Sequence, residues 1–159
     1  MQTSFTDKQL QDKDNKTSET IIRKCVHCGM CNATCPTYGI NGEELEGPRG
    51  RIYLIKDMLE NKKPATKEIT KHIDSCLSCY SCMTTCPSGV NYMHLIDHGR
   101  NYVEETYKRP FLDRLFRNIL SFVLPRPKIF LLMAWSSKIV KPFSFLFPKF
   151  LRNALNLMP

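Results

Sequence analysis

Long apolar runs are missing from this 159-residue sequence. In its carboxyl-terminal part the longest uncharged stretch runs only from Ile129 to Ser137, whereas a transmembrane helix needs about 20 apolar residues. Residues 1–20 also lack the apolar core of a secretory signal. We therefore expect a cytoplasmic protein rather than a secreted or membrane-spanning one.

Nucleotide-binding and catalytic motifs are missing as well. The sequence contains neither a G-x-G-x-x-G fingerprint nor a P-loop, the motifs that hold the phosphates of dinucleotides and nucleoside triphosphates. No nucleophile is paired with a recognisable base. We predict that this chain has no catalytic residue and binds neither flavin nor nicotinamide.

Acidic residues are nearly missing from one part of the chain. Lys108–Pro159 contains 10 basic residues and 1 acidic residue, whereas Met1–Tyr107 contains 13 basic and 14 acidic residues. A basic segment rich in large apolar residues can lie on an anionic membrane surface, so we expect peripheral membrane contact as one alternative. Packing against a partner subunit or a further domain is the other. Nucleic acid is not an expected partner, because no binding motif accompanies the charge.

Cysteine occurs only in two runs, each of the form C-x2-C-x2-C-x3-C-P. The runs consist of Cys25, Cys28, Cys31 and Cys35 before Pro36, and of Cys76, Cys79, Cys82 and Cys86 before Pro87. This spacing is typical of proteins that hold two [4Fe–4S] clusters. Structural zinc fits less well, because its ligands usually come as two separated pairs. Disulfides belong to oxidising compartments, which nothing in the sequence indicates.

The spacing also predicts which cysteines share a cluster. In two-cluster ferredoxins the cysteine before proline ligates the other cluster, so each run supplies three ligands locally and one remotely. The predicted ligand sets are Cys25, Cys28, Cys31 and Cys86 for cluster 1, and Cys76, Cys79, Cys82 and Cys35 for cluster 2. Such crossed ligation would join the two loops and leave the clusters side by side.

Apolar periodicity predicts a mainly α fold in which loops between short helices hold the clusters. Helices are expected from Pro48 to about Glu60, from Thr66 to about Ser75, and from Asn91 to about Tyr107. The expected division is a polar segment at 1–20, a two-cluster domain of the ferredoxin type at 21–107, and a basic helical tail at 108–159.

Two arginines and three histidines are further candidates. Positive charge near a cluster favours its reduced form, so Arg49 and Arg51 are candidate tuning residues, with solvated surface charges as the alternative. His27 lies inside the first cysteine run, where it could tune the cluster or only fill the loop. His94 and His98 share a helix face. Without further ligands, packing or surface roles are favoured for this pair over a metal site.

Three segments resemble the iron–sulfur subunit of bacterial glycolate oxidase: Arg23 to Tyr38, Gly47 to Lys56, and Thr84 to Val90. Lactate-utilisation proteins, the anaerobic glycerol-3-phosphate dehydrogenase small subunit and heterodisulfide reductase subunits share the cysteine pattern. Members of the glycolate oxidase family continue with a portion bearing CCG repeats, which this sequence lacks. We therefore expect a truncated chain.

The resemblance implies a non-catalytic electron-transfer subunit that works beside flavin-containing subunits. Those subunits would oxidise glycolate to glyoxylate, and the electrons would pass through two [4Fe–4S] clusters towards the respiratory chain. A related lactate or glycerol-3-phosphate dehydrogenase, or a complex like heterodisulfide reductase, is an alternative. A stand-alone cluster-binding regulatory module remains a different class of function.

Overall fold

The computed structural model describes residues 1–140, without the side chains of residues 133, 134 and 136–140. The chain divides into two compact units at Lys108. Helices and turns form the first unit, and the described residues contain no strand. Its helices are α1 (Lys13–Lys24), α2 (Pro36–Asn41), α3 (Pro48–Asn61), α4 (Lys67–Asp74), α5 (Ser81–Thr84) and α6 (Tyr92–Thr106). The predicted mainly α fold is confirmed.

Helices α3, α4 and α6 coincide with the three predicted from the sequence, and each starts at a recognisable signal. Pro48 occupies the first turn of α3, where its missing N–H would have no helical partner. The Thr66 hydroxyl accepts a hydrogen bond from the backbone N–H of Ile69 at the start of α4. The Asn91 side chain accepts one from the N–H of His94 at the start of α6. Both are N-caps of the expected type.

Helix α1 is absent from the sequence-based predictions, because its residues are mostly polar. Its N-cap is Asp12, whose carboxylate accepts a hydrogen bond from the Asn15 N–H. Only Ser18, Ile21 and Ile22 of this helix are buried. The amphipathic stripe is thus too narrow to be recognised by periodicity, yet it is enough to attach the helix to the core.

The core lies between α1, α3, α4 and α6. Its fully buried apolar side chains are Ile22, Ile55, Met58, Ile73, Leu95, Ile96 and Val103. Helices α3 and α6 approach closely, since a Cβ on Gly99 would lie 2.8 Å from Cγ1 of Ile55. This packing fixes α3 and α6, whose ends adjoin the two cysteine runs.

The second unit contains α7 (Phe111–Val123) and α8 (Pro127–Val140). Within α7, Asp113 pairs with Arg117 at 3.1 Å. Among the described residues, no helix is both long and apolar enough to span a bilayer. The predicted helical tail is therefore present up to Val140, while its continuation over 141–159 lies outside the described residues.

Candidate metal centre

The first cysteine run follows α1 directly and winds into a short 3₁₀ helix, Met30–Thr34. Gly29 provides the turn before that helix with φ +84°, a conformation that costs glycine little. A cavity of about 440 Å³, counting the part open to solvent, lies against this loop. The cysteines that line it are Cys25, Cys28, Cys31, Cys82 and Cys86.

The second run lies between α4 and α6 and includes α5. A second cavity, of about 300 Å³ by the same measure, lies against this loop. The cysteines that line it are Cys35, Cys76, Cys79 and Cys82. Each predicted set of four therefore borders one cavity, and each includes the remote cysteine that precedes a proline. Cys82 borders both cavities, so the two lie next to each other.

A direct contact joins the two cysteine runs. The hydroxyls of Thr34 and Thr85, each one residue before the last cysteine of its run, lie 3.2 Å apart and share a hydrogen bond. Because the two threonines occupy equivalent places in the repeat, the loops meet in a roughly symmetrical manner. This contact holds Cys35 and Cys86 near the cavity of the opposite run.

The thiol groups are close enough to affect each other's ionisation. Burial, together with the nearby Cys25 and Cys86, raises the pKa of Cys31 to about 11. Burial, followed by the charge of Cys31 and of other cysteines, raises the pKa of Cys82 to about 12. Cysteine side chains bind metals only as deprotonated thiolates, so closely spaced cysteine ligands need a compensating positive charge. Two pockets with four available thiols each suit iron–sulfur clusters.

A buried asparagine supports the first loop. The Asn32 amide donates to the Glu44 carboxylate at 3.2 Å, and its oxygen accepts from the Arg49 N–H at 3.4 Å. Gly50 lets α3 approach the same turn, since a Cβ there would lie 2.3 Å from the Glu44 carbonyl oxygen. The Gly-Pro-Arg-Gly segment therefore places the start of α3 against the first cavity.

An arginine of α6 supports the second loop. The Arg100 guanidinium donates to the Cys76 carbonyl oxygen and to the Ser78 hydroxyl, both at 2.6 Å. Ser78 and Tyr80 adopt positive φ, +51° and +56°, which non-glycine residues seldom do. The loop is thus held in an uncommon conformation by a side chain that the sequence did not single out.

The two candidate tuning arginines have different surroundings. Arg51 is only 1% exposed and forms an ion pair with the buried Glu46 at 2.9 Å. The alternative of a solvated surface charge is therefore wrong for Arg51. Arg49 is 39% exposed, pairs with Glu44 at 3.4 Å and borders the first cavity. Glu46, absent from the sequence-based candidates, has no local signal and is recognised only in the fold.

The Arg51 guanidinium has several further partners. It donates to the His72 carbonyl oxygen at 2.7 Å, to the Ser75 hydroxyl at 3.0 Å and to the Thr37 hydroxyl at 3.1 Å. Burial alone would raise the pKa of Glu46, but hydrogen bonds from Ser75 and His72 and the charge of Arg51 together lower it. A charged, hydrogen-bonded network therefore lies beside the second cavity.

The histidines differ in position. His27 borders the first cavity at φ +59°, and burial, with the charge of Arg49, lowers its pKa. The rings of His94 and His98 lie 6.1 Å apart, but Nδ1 of His98 shares a hydrogen bond with the Ser18 hydroxyl at 2.7 Å. Within the described residues, neither belongs to a group of three potential metal ligands. The packing role is therefore favoured for this pair.

Comparisons with known proteins agree with this geometry. Residues 21–90 match the family described as "4Fe-4S dicluster domain". The chain is 48% identical over 143 residues to the glycolate oxidase iron-sulfur subunit of Escherichia coli (strain K12), covering 90% of this chain and 35% of that protein. It is 31% identical over 117 residues to a probable glycolate oxidase iron-sulfur subunit of Bacillus subtilis (strain 168), covering 70% and 26%.

A more distant relative is the mitochondrial succinate dehydrogenase [ubiquinone] iron-sulfur subunit of Candida glabrata, 30% identical over 88 residues, covering 52% of this chain and 35% of that protein. No solved structure matches the chain. The chain spans about a third or less of the length of the curated relatives named here. The predicted cofactors, two [4Fe–4S] clusters, are confirmed by the dicluster domain and by the iron–sulfur relatives. The chain is thus similar, over residues 21–90, to 4Fe-4S dicluster domains and, over most of its length, to part of the glycolate oxidase iron–sulfur subunit.

Proposed function

We propose that the chain is the electron-transfer component of a glycolate-oxidising complex. It would receive electrons from a flavin-containing subunit that oxidises glycolate to glyoxylate, and it would deliver them towards the respiratory chain. The observation that carries this proposal is the pair of adjacent cysteine-lined cavities that share Cys82. When bound there, the two clusters supply reversible one-electron chemistry.

The proposed ligands are Cys25, Cys28, Cys31 and Cys86 for one cluster, and Cys76, Cys79, Cys82 and Cys35 for the other. The grouping of these side chains around the two cavities supports the assignment. The hydrogen bond between Thr34 and Thr85 supports it independently, because it draws the end of each run towards the other. Crossed ligation would also stabilise the fold, since metal binding to a preformed site adds directly to folding free energy.

Each proposed cluster has one cysteine at the protein surface. Cys28 of the first run and Cys79 of the second are exposed, whereas Cys25 and Cys82 are buried. Exposed ligands bring a cluster within reach of a partner protein. The chain therefore offers two separate approaches for redox partners, as an electron relay requires.

The basic tail suits a peripheral position at the inner face of the cytoplasmic membrane. Helix α7 carries a row of exposed large apolar side chains: Phe111, Leu112, Leu115, Phe116, Ile119, Leu120 and Phe122. Arg114 and Arg117 lie on the same helix. Apolar and cationic side chains together favour anionic lipid surfaces. Co-sedimentation with anionic but not with neutral vesicles would support this position, and equal recovery with both would refute it.

Reduction by a flavoprotein partner tests the relay. The loaded chain is mixed anaerobically with the flavin subunits of a glycolate oxidase, and the cluster signal is followed by EPR after addition of glycolate. We expect reduction with glycolate and none without the flavin subunits. Cluster reduction with lactate but not with glycolate would indicate that the complex oxidises another 2-hydroxy acid. No reduction by any 2-hydroxy acid, with about eight irons bound per chain, would refute the relay.

A further inference from the structure

Hydrogen-bond donors are concentrated on the sulfurs of one proposed cluster site. Nη1 of Arg51 donates to Sγ of Cys35 at 3.9 Å. The Thr37 hydroxyl lies 3.2 Å from the same sulfur, but it donates its proton to the Glu46 carbonyl oxygen at 2.7 Å. The Tyr92 hydroxyl donates to Sγ of Cys76 at 3.7 Å. The side chains of Arg51 and Tyr92 border the second cavity, and Ser81 forms a side-chain hydrogen bond to Cys79, so side-chain donors reach three of its four cysteines.

The other site differs. Among the described residues, the donors to the sulfurs of the first cavity are backbone groups: the N–H of Val90 lies 3.5 Å from Sγ of Cys86, and Cys31 accepts a backbone hydrogen bond. No side-chain N–H or O–H in that part of the chain donates to Cys25, Cys28 or Cys31. The two sites are therefore chemically inequivalent although their sequence motifs are nearly identical.

The donors at the second site are fixed in place and keep their protons. Arg51 is held by Glu46 and by the His72 carbonyl oxygen, so its Nη1 side remains directed at Cys35. A guanidinium stays protonated at any physiological pH. A phenol is protonated at neutral pH, since its ordinary pKa is about 10, and the Tyr92 hydroxyl therefore remains a donor. Glu46 offsets part of the arginine charge, but the N–H directed at the sulfur remains.

Reduction adds one negative charge to a cluster, and donors to its sulfurs stabilise that charge. We propose that Arg51 and Tyr92 hold the cluster of the second cavity at a higher reduction potential than its neighbour. The proposal rests on the ligand sets and the relay proposed above. Electrons would then enter beside Cys28, where a reduced flavin of the partner gives up one electron at a time, and leave beside Cys79.

Arg49 is the matched control. It carries the same charge and borders the first cavity, but it is 39% exposed and paired with Glu44. Water and ions screen such a charge strongly. Replacing Arg49 should leave the higher reduction potential unchanged, whereas replacing the buried donors should lower it.

The test is an anaerobic redox titration of the full loaded chain, followed by EPR, for wild type and three variants. Arg51→Gln should lower the higher midpoint potential by about 59 mV, a tenfold change in the ratio of reduced to oxidised cluster for a one-electron couple. Tyr92→Phe should lower the same step by less. Arg49→Gln should leave it unchanged.

A shift confined to the lower step, or two steps that coincide in the wild type, would overturn the inference and leave the relay intact. Failure of the wild type to bind two clusters would instead refute the proposed function, and this inference with it. Arg51→Gln leaves Glu46 buried without its cation and can lose iron for that reason. Tyr92→Phe removes only the hydroxyl that donates to Cys76, so it decides the question alone if that variant does not load.

Discussion

Replacing Arg100 should loosen one cluster selectively. In the Arg100→Met variant the aliphatic stem is kept, while the hydrogen bonds to the Cys76 carbonyl oxygen and the Ser78 hydroxyl are lost. A hydrogen bond to a charged group contributes about 1.5 to 3 kcal/mol. Because Arg100 is only half-buried, we take the lower figure for each bond, which gives about 3 kcal/mol in all.

That loss corresponds to about 100-fold in an equilibrium constant. The lost hydrogen bonds belong to the loop in which Ser78 and Tyr80 adopt positive φ. Residues in this uncommon conformation change to another one readily when the surrounding contacts that hold them are removed. We therefore expect half of the iron to be released much faster than in the wild type, and the other half at nearly the wild-type rate.

The assay is iron release to a chelator under anaerobic conditions, with EPR of the protein that remains. Arg23→Met is the control, because Arg23 is an exposed arginine whose side chain pairs with Glu19 one turn away on α1. If the Arg100→Met variant released iron at the wild-type rate, or released all of its iron equally faster, the role given to Arg100 would be refuted.

Two further predictions concern the fold. Gly50→Ala should destabilise the protein by about 2 kcal/mol, because the new Cβ would meet the Glu44 carbonyl oxygen; Gly39→Ala, which meets no atom within 4 Å, should be neutral or slightly stabilising in the same urea titration. Burial lowers the pKa of His98, so the unfolded chain binds its proton first as the pH falls. The unfolding free energy should therefore be at its full value above about pH 6.5 and should decrease below that pH. If the His98→Gln variant showed the same pH dependence as the wild type, this prediction would be wrong.

The cysteine spacing and the helix signals made much of this fold predictable. Two equal runs predict two clusters, and Pro48, Thr66 and Asn91 mark helix starts because each acts locally, within one turn of its own position. Helix α1 could not be predicted from the sequence, because its attachment to the core depends on a few side chains that contact distant helices. One of them is Ser18, whose hydroxyl contacts His98.

The charged network could be predicted only in part. Arg51 was a candidate for tuning, yet its burial depends on Glu46, on the hydroxyls of Thr37 and Ser75, and on the end of α4. These groups come from three separate segments, none of which is α3 itself. Nothing in the sequence distinguishes Arg51 from Arg49, two residues away, because their difference arises from the direction in which each side chain leaves α3.

Crossed ligation is the central claim, and paired cysteine variants test it directly. Cys28 is exposed and serves as the common partner in two double variants, Cys28→Ala with Cys86→Ala and Cys28→Ala with Cys35→Ala. Iron and sulfide are counted after anaerobic reconstitution of each. We predict that the pair with Cys86 retains about half of the wild-type iron, since both residues serve one cluster, and that the pair with Cys35 loses nearly all of it. The opposite result would show that each run ligates its own cluster, and it would contradict the account.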